Sequence, residues 1–364
     1  MSVVLDVLLA LVATYVSLTN GLAAEIERVL PAHMTAPTAD TELSGSRPDD
    51  TFATLPSVFD EIRTIPDLLR ESAEYQQSAS VGTALIESTT RDPLAALVNV
   101  YCIYTTDDYI RTTTGTGFFV HPDGVIMTNA HIAQFLLLEE TSAVGETECR
   151  IRTGDPAAPR YRAELLYLPP AWLTEHAELI DAAVPMGTGE RDYALLYVTD
   201  SITRTPVPVQ FPALPISTEL LPRTITGSDV VAAGYPAAGF ARQSSLSPER
   251  ATATISELYT FGSNYADVFS ITGSAVGAEG SSGGPVVTPD GTVIGMIATR
   301  GDDTIDGPGS LRAITLSHIH RTILEETGFT LRETMSGDIT RRGAIFRETV
   351  SPFLLTLLTR ELQN

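Results

Sequence analysis

From Leu97 to Ile314 the chain is a succession of short β-branched and aromatic runs, each cut off within a few residues by Gly, Pro or Asp-Gly. Runs this short and this evenly broken commit the segment to β-structure, closed into barrels or stacked as a sandwich. The expected strands are Leu97–Tyr104, Gly117–Val120, Val125–Asn129, Cys149–Arg152, Ala163–Leu168, Ala194–Val198 and Val207–Gln210. They continue as Asp229–Ala233, Thr252–Thr260, Val268–Thr272, Pro285–Val287, Val293–Thr299 and Leu311–Ile314. Pro208 restricts Val207–Gln210 to a sheet edge. Asp123-Gly124 and Asp290-Gly291 read as hairpin turns. The Pro-rich stretch Thr205 to Pro222 reads as a crossing between two halves.

The flanks are different in kind. Val3 to Leu18 is apolar apart from Asp6, Thr14, Tyr15 and Ser17, and small residues follow at Gly21, Ala23 and Ala24. Residues 1–24 are therefore expected to be a signal peptide or membrane anchor, although no Lys or Arg precedes the apolar run and Asp6 is costly in a bilayer. Residues 25–94 read as a linker, from the Thr-, Ala-, Pro- and Ser-rich stretch His33 to Pro56, with a short helix beginning at Pro66. At the other end, Ser317 is the expected N-cap of a helix running to Gly328, and Pro352 to Leu358 a further helix packed on the barrels or on a partner.

Composition closes off several functions. A formal net charge of −22 repels phosphate backbones, so nucleic acid is not an expected partner. With two cysteines, Cys102 and Cys149, there is neither a disulfide-dense scaffold nor a four-thiolate zinc site. The pair forms one disulfide in an exported protein, or two buried thiols. No ligand cluster calls for calcium or zinc, and no cofactor is expected.

Three places carry chemistry. In Gly280-Ser281-Ser282-Gly283-Gly284-Pro285 a serine sits among glycines, whose missing Cβ lets successive N–H groups converge on one point. Ser282 is the candidate nucleophile, and a glycine-rich hairpin loop is the alternative. His131 closes Val125-Ile126-Met127-Thr128-Asn129-Ala130-His131, the outgoing arm of a hairpin, and is expected at a strand end where a base is held firmly. Asp192 precedes the apolar run Ala194-Leu195-Leu196-Tyr197-Val198, where an acid is either a turn residue or a buried carboxylate with a partner. The remaining histidines, His33, His121, His176, His318 and His320, have no ligand spacing and are assigned surface roles.

Taken together, Gly115-Thr116-Gly117-Phe118-Phe119-Val120, Thr128-Asn129-Ala130-His131, Asp192-Tyr193-Ala194-Leu195-Leu196, Gly234-Tyr235-Pro236 and Gly280-Ser281-Ser282-Gly283-Gly284-Pro285 resemble the trypsin-like serine peptidases. The likeness extends over residues 95–320, in the order His, Asp, Ser, and favours the bacterial HtrA/Deg-type branch. It implies an all-β chymotrypsin-like fold of two six-stranded antiparallel β-barrels, at residues 95–205 and 206–316, with a helical extension at 317–364. His131, Asp192 and Ser282 would be the catalytic triad, and the backbone N–H groups of Gly280 and Ser282 the oxyanion hole. By the same resemblance Val276 lies at the floor of the first specificity pocket and implies a small or medium apolar P1 residue. Ala298 and Thr299 would line the pocket wall on a strand that pairs with substrate.

The departures from the family pattern are equally specific. Ser281 stands where digestive trypsins carry an aspartate, which removes activation by a newly cut N-terminus. No PDZ-like domain fits after His320. Residues 134–190 form a long insertion, read as a lid, a partner surface or a decorated loop. The expected function is a serine endopeptidase acting on polypeptides outside the cytoplasm, in the periplasm, at the envelope or secreted. The competing reading is a catalytically inactive polypeptide-binding or envelope interaction module of the same fold.

Overall fold

The computed structural model describes residues 88–182, 189–237, 246–272, 276–277, 279–300 and 310–363. The expected signal or anchor, the Pro66 helix and residues 25–87 of the expected linker lie outside the described residues. A short helix, α1 (Pro93–Ala96), capped by the Asp92 side chain, leads into the first barrel. That barrel consists of β1 (Leu97–Thr105), β2 (Ile110–His121), β3 (Val125–Thr128), β4 (Glu146–Thr153), β5 (Ala158–Tyr167) and β6 (Ala194–Ser201). Its strands close in the order β1-β2-β3-β6-β5-β4, all antiparallel. The second barrel consists of β7 (Asp229–Gly234), β8 (Glu249–Tyr259), β9 (Val268–Thr272), β10 (Pro285–Val287), β11 (Val293–Arg300) and β12 (Leu311–Thr315), closed as β10-β11-β12-β9-β8-β7.

Alternation is plain in β1 of the first barrel, while β3, β9 and β10 are buried almost throughout. Along β1, Val98, Val100, Cys102 and Tyr104 are buried while Tyr101, Ile103 and Thr105 are partly exposed, the period of two that a barrel wall imposes. Two expectations are corrected here. Val207–Gln210 is not a strand: Pro206 and Pro208 lack the N–H groups a ladder needs, and the crossing instead makes one bridge at Ile216. Strand β2 begins at Ile110, well before Gly117, because Thr112, Thr113 and Thr114 extend the pairing with β1 on a half-exposed surface.

Between the strands of the first barrel lie α2 (Ala130–Leu138) and α3 (Pro170–His176), followed by a 3₁₀ turn at Ala177–Ile180. After β12 come α4 (Leu316–Thr327), α5 (Leu331–Thr334), α6 (Ile339–Thr349) and α7 (Ser351–Leu362). The N-cap of α4 is Thr315 rather than Ser317: the Thr315 hydroxyl accepts from the His318 N–H at 3.1 Å, and Ser317 lies within the first turn. Gly328 closes the helix in the left-handed region at φ 73°. Helix α6 packs on β5 and β6, and α7 on α2, α3 and the 3₁₀ turn. The inserted residues Leu136 to Leu138 are thus part of a helix buried on every side, with α7 packed against it through the fully buried Leu354 and Leu358.

The two ends of the described chain cross over. Residues before the first barrel are fastened to the crossing and to the second barrel: Thr89 and Thr90 donate to the Ala213 carbonyl, Arg91 pairs with Asp290 at 3.0 Å and Asp92 with Arg250 at 3.3 Å. Residues after the second barrel are fastened to the first, where Arg347 pairs with Glu164 at 2.6 Å.

Cys102 and Cys149 face each other in the β1–β4 register and are joined by a disulfide, both almost completely buried. The bond closes a loop of 47 residues, for which the chain-entropy account gives a stabilisation of roughly 4 kcal/mol. The Cys102→Ser, Cys149→Ser double variant is expected to lose a large part of that in equilibrium denaturation. An unchanged midpoint and slope would show that strand pairing alone already restrains the unfolded chain.

Candidate active site

Strand β3 ends at Thr128, and Asn129 turns the chain into α2, so His131 is the second residue of a helix and not a strand end. The apolar run after Asn129 is buried all round and can fill a helical turn as easily as a strand. Asn129 does not cap the helix with its side chain; its amide donates to the Asp192 carbonyl at 2.8 Å. The cap comes from the approach to β6, the strand paired with β3. Asp192 Oδ1 accepts from the His131 backbone N–H at 3.0 Å, and Oδ2 lies 2.8 Å from His131 Nδ1. One carboxylate, with no exposed surface, therefore satisfies an orphan donor at the positive end of a helix and fixes the imidazole.

The backbone around Asp192 is held in an unusual form. Arg191 has φ 56°, the one non-glycine in the left-handed region among the described residues, and the Tyr193 N–H donates to the Arg191 carbonyl at 2.8 Å. Arg191 Nε lies 2.8 Å from Glu326 Oε1, and the other Glu326 oxygen accepts from the Tyr167 hydroxyl. Tyr193 OH is bonded to Thr322 Oγ1 at 2.8 Å. Burial pushes the Glu326 carboxyl up to about 7, against the opposing pull of Tyr167 and Arg191 and with a small upward push from Glu325. Sequence reading passed over Glu326. An acid in the last turn of a helix opposes the helix dipole, and that signal points to a tertiary partner.

Two histidines assigned to the surface are buried. His121 lies against Asp123 at 3.5 Å, and His318 Nδ1 lies 3.2 Å from Asp267 Oδ1. Asp267 also gathers Arg321, Ser263, Thr260 and the Phe261 N–H, which fastens the start of α4 to the second barrel. Burial lowers the His318 pKa, with Asp267 opposing.

Ser282 sits in the loop before β10. Gly280 and Gly283 have φ of 91° and 86°. A Cβ on Gly283 would overlap the Thr116 carbonyl, and one on Gly280 would strike the Tyr235 carbonyl. The loop is pressed between β2, the end of β3 and β7. Thr116 makes the seam: its N–H donates to the Ser282 carbonyl at 2.8 Å, its hydroxyl donates to the Gly280 carbonyl at 2.6 Å and accepts from the Tyr235 N–H at 2.9 Å. Its own carbonyl accepts from Thr128 Oγ1 at 2.7 Å. Ser282 is thereby tied to a point three residues before His131. The Glu279 carbonyl is turned to the Ala237 N–H at 2.6 Å, and the N–H groups of Gly280 and Ser282 have no acceptor among the described residues.

The structure brings His131 and Asp192 into direct contact; Ser282 Oγ instead points to the Ala298 carbonyl at 3.5 Å. Val276 is fully buried with the core of the second barrel, Ala298 is buried and Thr299 half-buried on β11. Strand β10 begins, at Pro285, opposite Met296, and Gly283 and Gly284 bond Ile297, so from Ala298 onward that edge of β11 has no strand neighbour among the described residues. No group of three or more His, Cys, Asp or Glu among the described residues could hold a metal ion.

The sequence profile of the trypsin-like peptidase domain matches residues 115–296, half of the chain. No curated protein matches. Among solved structures the chain is similar to the active form of the Rv3671c protease from M. tuberculosis, at 22% identity over 68% of this chain and 92% of that one, with a TM-score of 0.40.

Thr116→Val keeps the shape and orphans two buried backbone groups, an expected loss of about 2–4 kcal/mol in chemical denaturation. A loss below about 1 kcal/mol would show that the loop is held by packing alone. The Glu326 carboxyl sets a pH dependence. Between its ordinary value of 4.5 and about 7 only the folded state holds the proton, so stability falls as pH rises through that window. The fall is on the order of 3 kcal/mol and is expected to be absent in Glu326→Gln, read as melting temperature against pH. Parallel curves for the two proteins would refute it.

Proposed function

This chain belongs to the trypsin-like peptidase family and is a serine protease of polypeptides, and from that premise we propose that Ser282, His131 and Asp192 form its catalytic triad. The observation that carries the reading is the buried contact between His131 Nδ1 and Asp192, 2.8 Å long, which holds the proton on Nδ1 and leaves Nε2 as the base. Ser282 Oγ turns from Ala298 towards His131, gives its proton to Nε2 and attacks the peptide carbonyl. The tetrahedral oxyanion is met by the N–H groups of Gly280 and Ser282, a contribution of roughly 3 kcal/mol per donor. His131 then protonates the leaving amine, and water repeats the sequence on the acyl-enzyme.

Substrate pairs as an added strand along the open edge of β11 beside Ala298 and Thr299. Val276, uncharged and buried, supports a small or medium apolar P1 residue. The motifs themselves resemble the bacterial HtrA/Deg-type branch, and their His, Asp, Ser order sets the chain apart from α/β-hydrolases and subtilisin-like enzymes. A structural disulfide supports a location outside the cytoplasm. One observation favours a second reading, a cleft that binds polypeptide without cutting it: the Ser282 hydroxyl is bonded to Ala298 and not to His131.

Covalent labelling with a fluorophosphonate decides between them. Labelling at Ser282 is expected in the wild type and lost in Ser282→Ala and His131→Ala. Asp192→Asn is expected to lower kcat by about 10⁴-fold, and peptides with Ala, Val or Leu at P1 to be cut ahead of Lys or Arg. A folded wild type that takes no label would make the binding reading the correct one.

A further inference from the structure

Asp192 lies between two residues that both reach α4, the helix that follows the second barrel. The residues on either side of it are both tethered to α4: Arg191 to Glu326 at 2.8 Å and Tyr193 to Thr322 at 2.8 Å. Glu326 and Thr322 are four residues apart, one helical turn, and so lie on the same face. Arg191 occupies a backbone region that an L side chain resists, and it stays there only because its surroundings over-determine it. Glu190 adds a weaker contact at 3.2 Å, and Tyr167, stacked 6.4 Å from Tyr193, donates to the far oxygen of Glu326. The other end of α4 is fixed to the second barrel through His318, Arg321 and Asp267. The helix is a strut whose two ends are fastened to different barrels.

We propose that α4 sets the position of Asp192 in the cleft, with Glu326 and Thr322 acting through Arg191 and Tyr193 as positioning residues. The inference rests on the reading of Asp192 as the residue that orients His131. Its physical content is that the three-residue turn centred on Asp192 is held open at both flanks by one rigid element. Release of either flank lets the carboxylate move by a fraction of an ångström from His131 Nδ1, enough to impair proton transfer without altering substrate contacts.

The test uses the full chain and five variants: Arg191→Gly, Glu326→Ala, Glu326→Gln, Thr322→Val and, as the control on the triad, Asp192→Asn. Each is read by kcat and KM on a peptide substrate, by circular dichroism and melting temperature, and by the downfield proton resonance of the His131–Asp192 hydrogen bond. Arg191→Gly and Glu326→Ala are expected to lower kcat by about 10–100-fold with KM within about 2-fold, and to weaken or shift the resonance. Thr322→Val should lower it less. Glu326→Gln, which can still accept from Arg191, should recover part of the loss. Arg191→Gly keeps the experiment decisive where Glu326→Ala does not fold, because glycine adopts the left-handed backbone without strain and removes only the tether. Folded Arg191→Gly and Glu326→Ala with kcat within about 2-fold of wild type and an unchanged resonance, alongside an impaired Asp192→Asn, would overturn the positioning role and leave the triad standing. An Asp192→Asn protein as active as the wild type would overturn the triad itself.

Discussion

Everything in the cleft depends on one threonine. Thr116 belongs to a barrel wall, yet none of the four hydrogen bonds described above serves its ladder with β1. Its backbone holds the Ser282 and Thr128 segments together, and its hydroxyl holds Gly280 against Tyr235. A single buried residue thus sets how the Ser282 loop of one barrel sits on the His131-bearing segment of the other. The glycines follow from that demand: where backbone must lie on backbone, a Cβ has no room. The loop sequence is as much a packing solution as a chemical one.

The second demand is to keep a carboxylate dry and hydrogen-bonded at the same time. Asp192 meets it by accepting from the first turn of α2 as well as from the imidazole, so the helix terminus offsets part of the cost of burial. The helix that carries His131 is in this way capped by the same carboxylate that holds the His131 ring. Nothing local to α2 does so, since Asn129 spends its side chain on the Asp192 carbonyl.

The barrels were legible because short β-branched and aromatic runs are cut by turn residues where hairpins need them; the period of two is clear in β1, while β3 and β10 are buried throughout. Val207–Gln210 read as an edge strand despite Pro208, and it forms no strand at all. The start of β2 was missed because threonines pair well but carry no apolar alternation. His131, Asp192 and Ser282 stood out in sequence by context, but the helical seat of His131 did not, since an apolar run buried on all sides gives no period to read. Glu326, Thr322 and Thr116 were invisible as partners, because each acts over a long sequence distance on a residue whose own neighbourhood looks ordinary. The bond between Cys102 and Cys149 was an open alternative until the register of β1 on β4 placed them opposite each other.

The crossed fastening of the chain ends has a consequence for how the molecule comes into being. Contacts such as Arg91 to Asp290 and Arg347 to Glu164 join residues 199 and 183 positions apart, and loop closure over such spans is among the last gains of folding. A ribosome that has finished both barrels has not yet supplied α6 or α7, and the first barrel still lacks its cover. Each half is buckled by the other's end, so a partly made chain carries the motifs of a protease before it has the architecture to hold them in register.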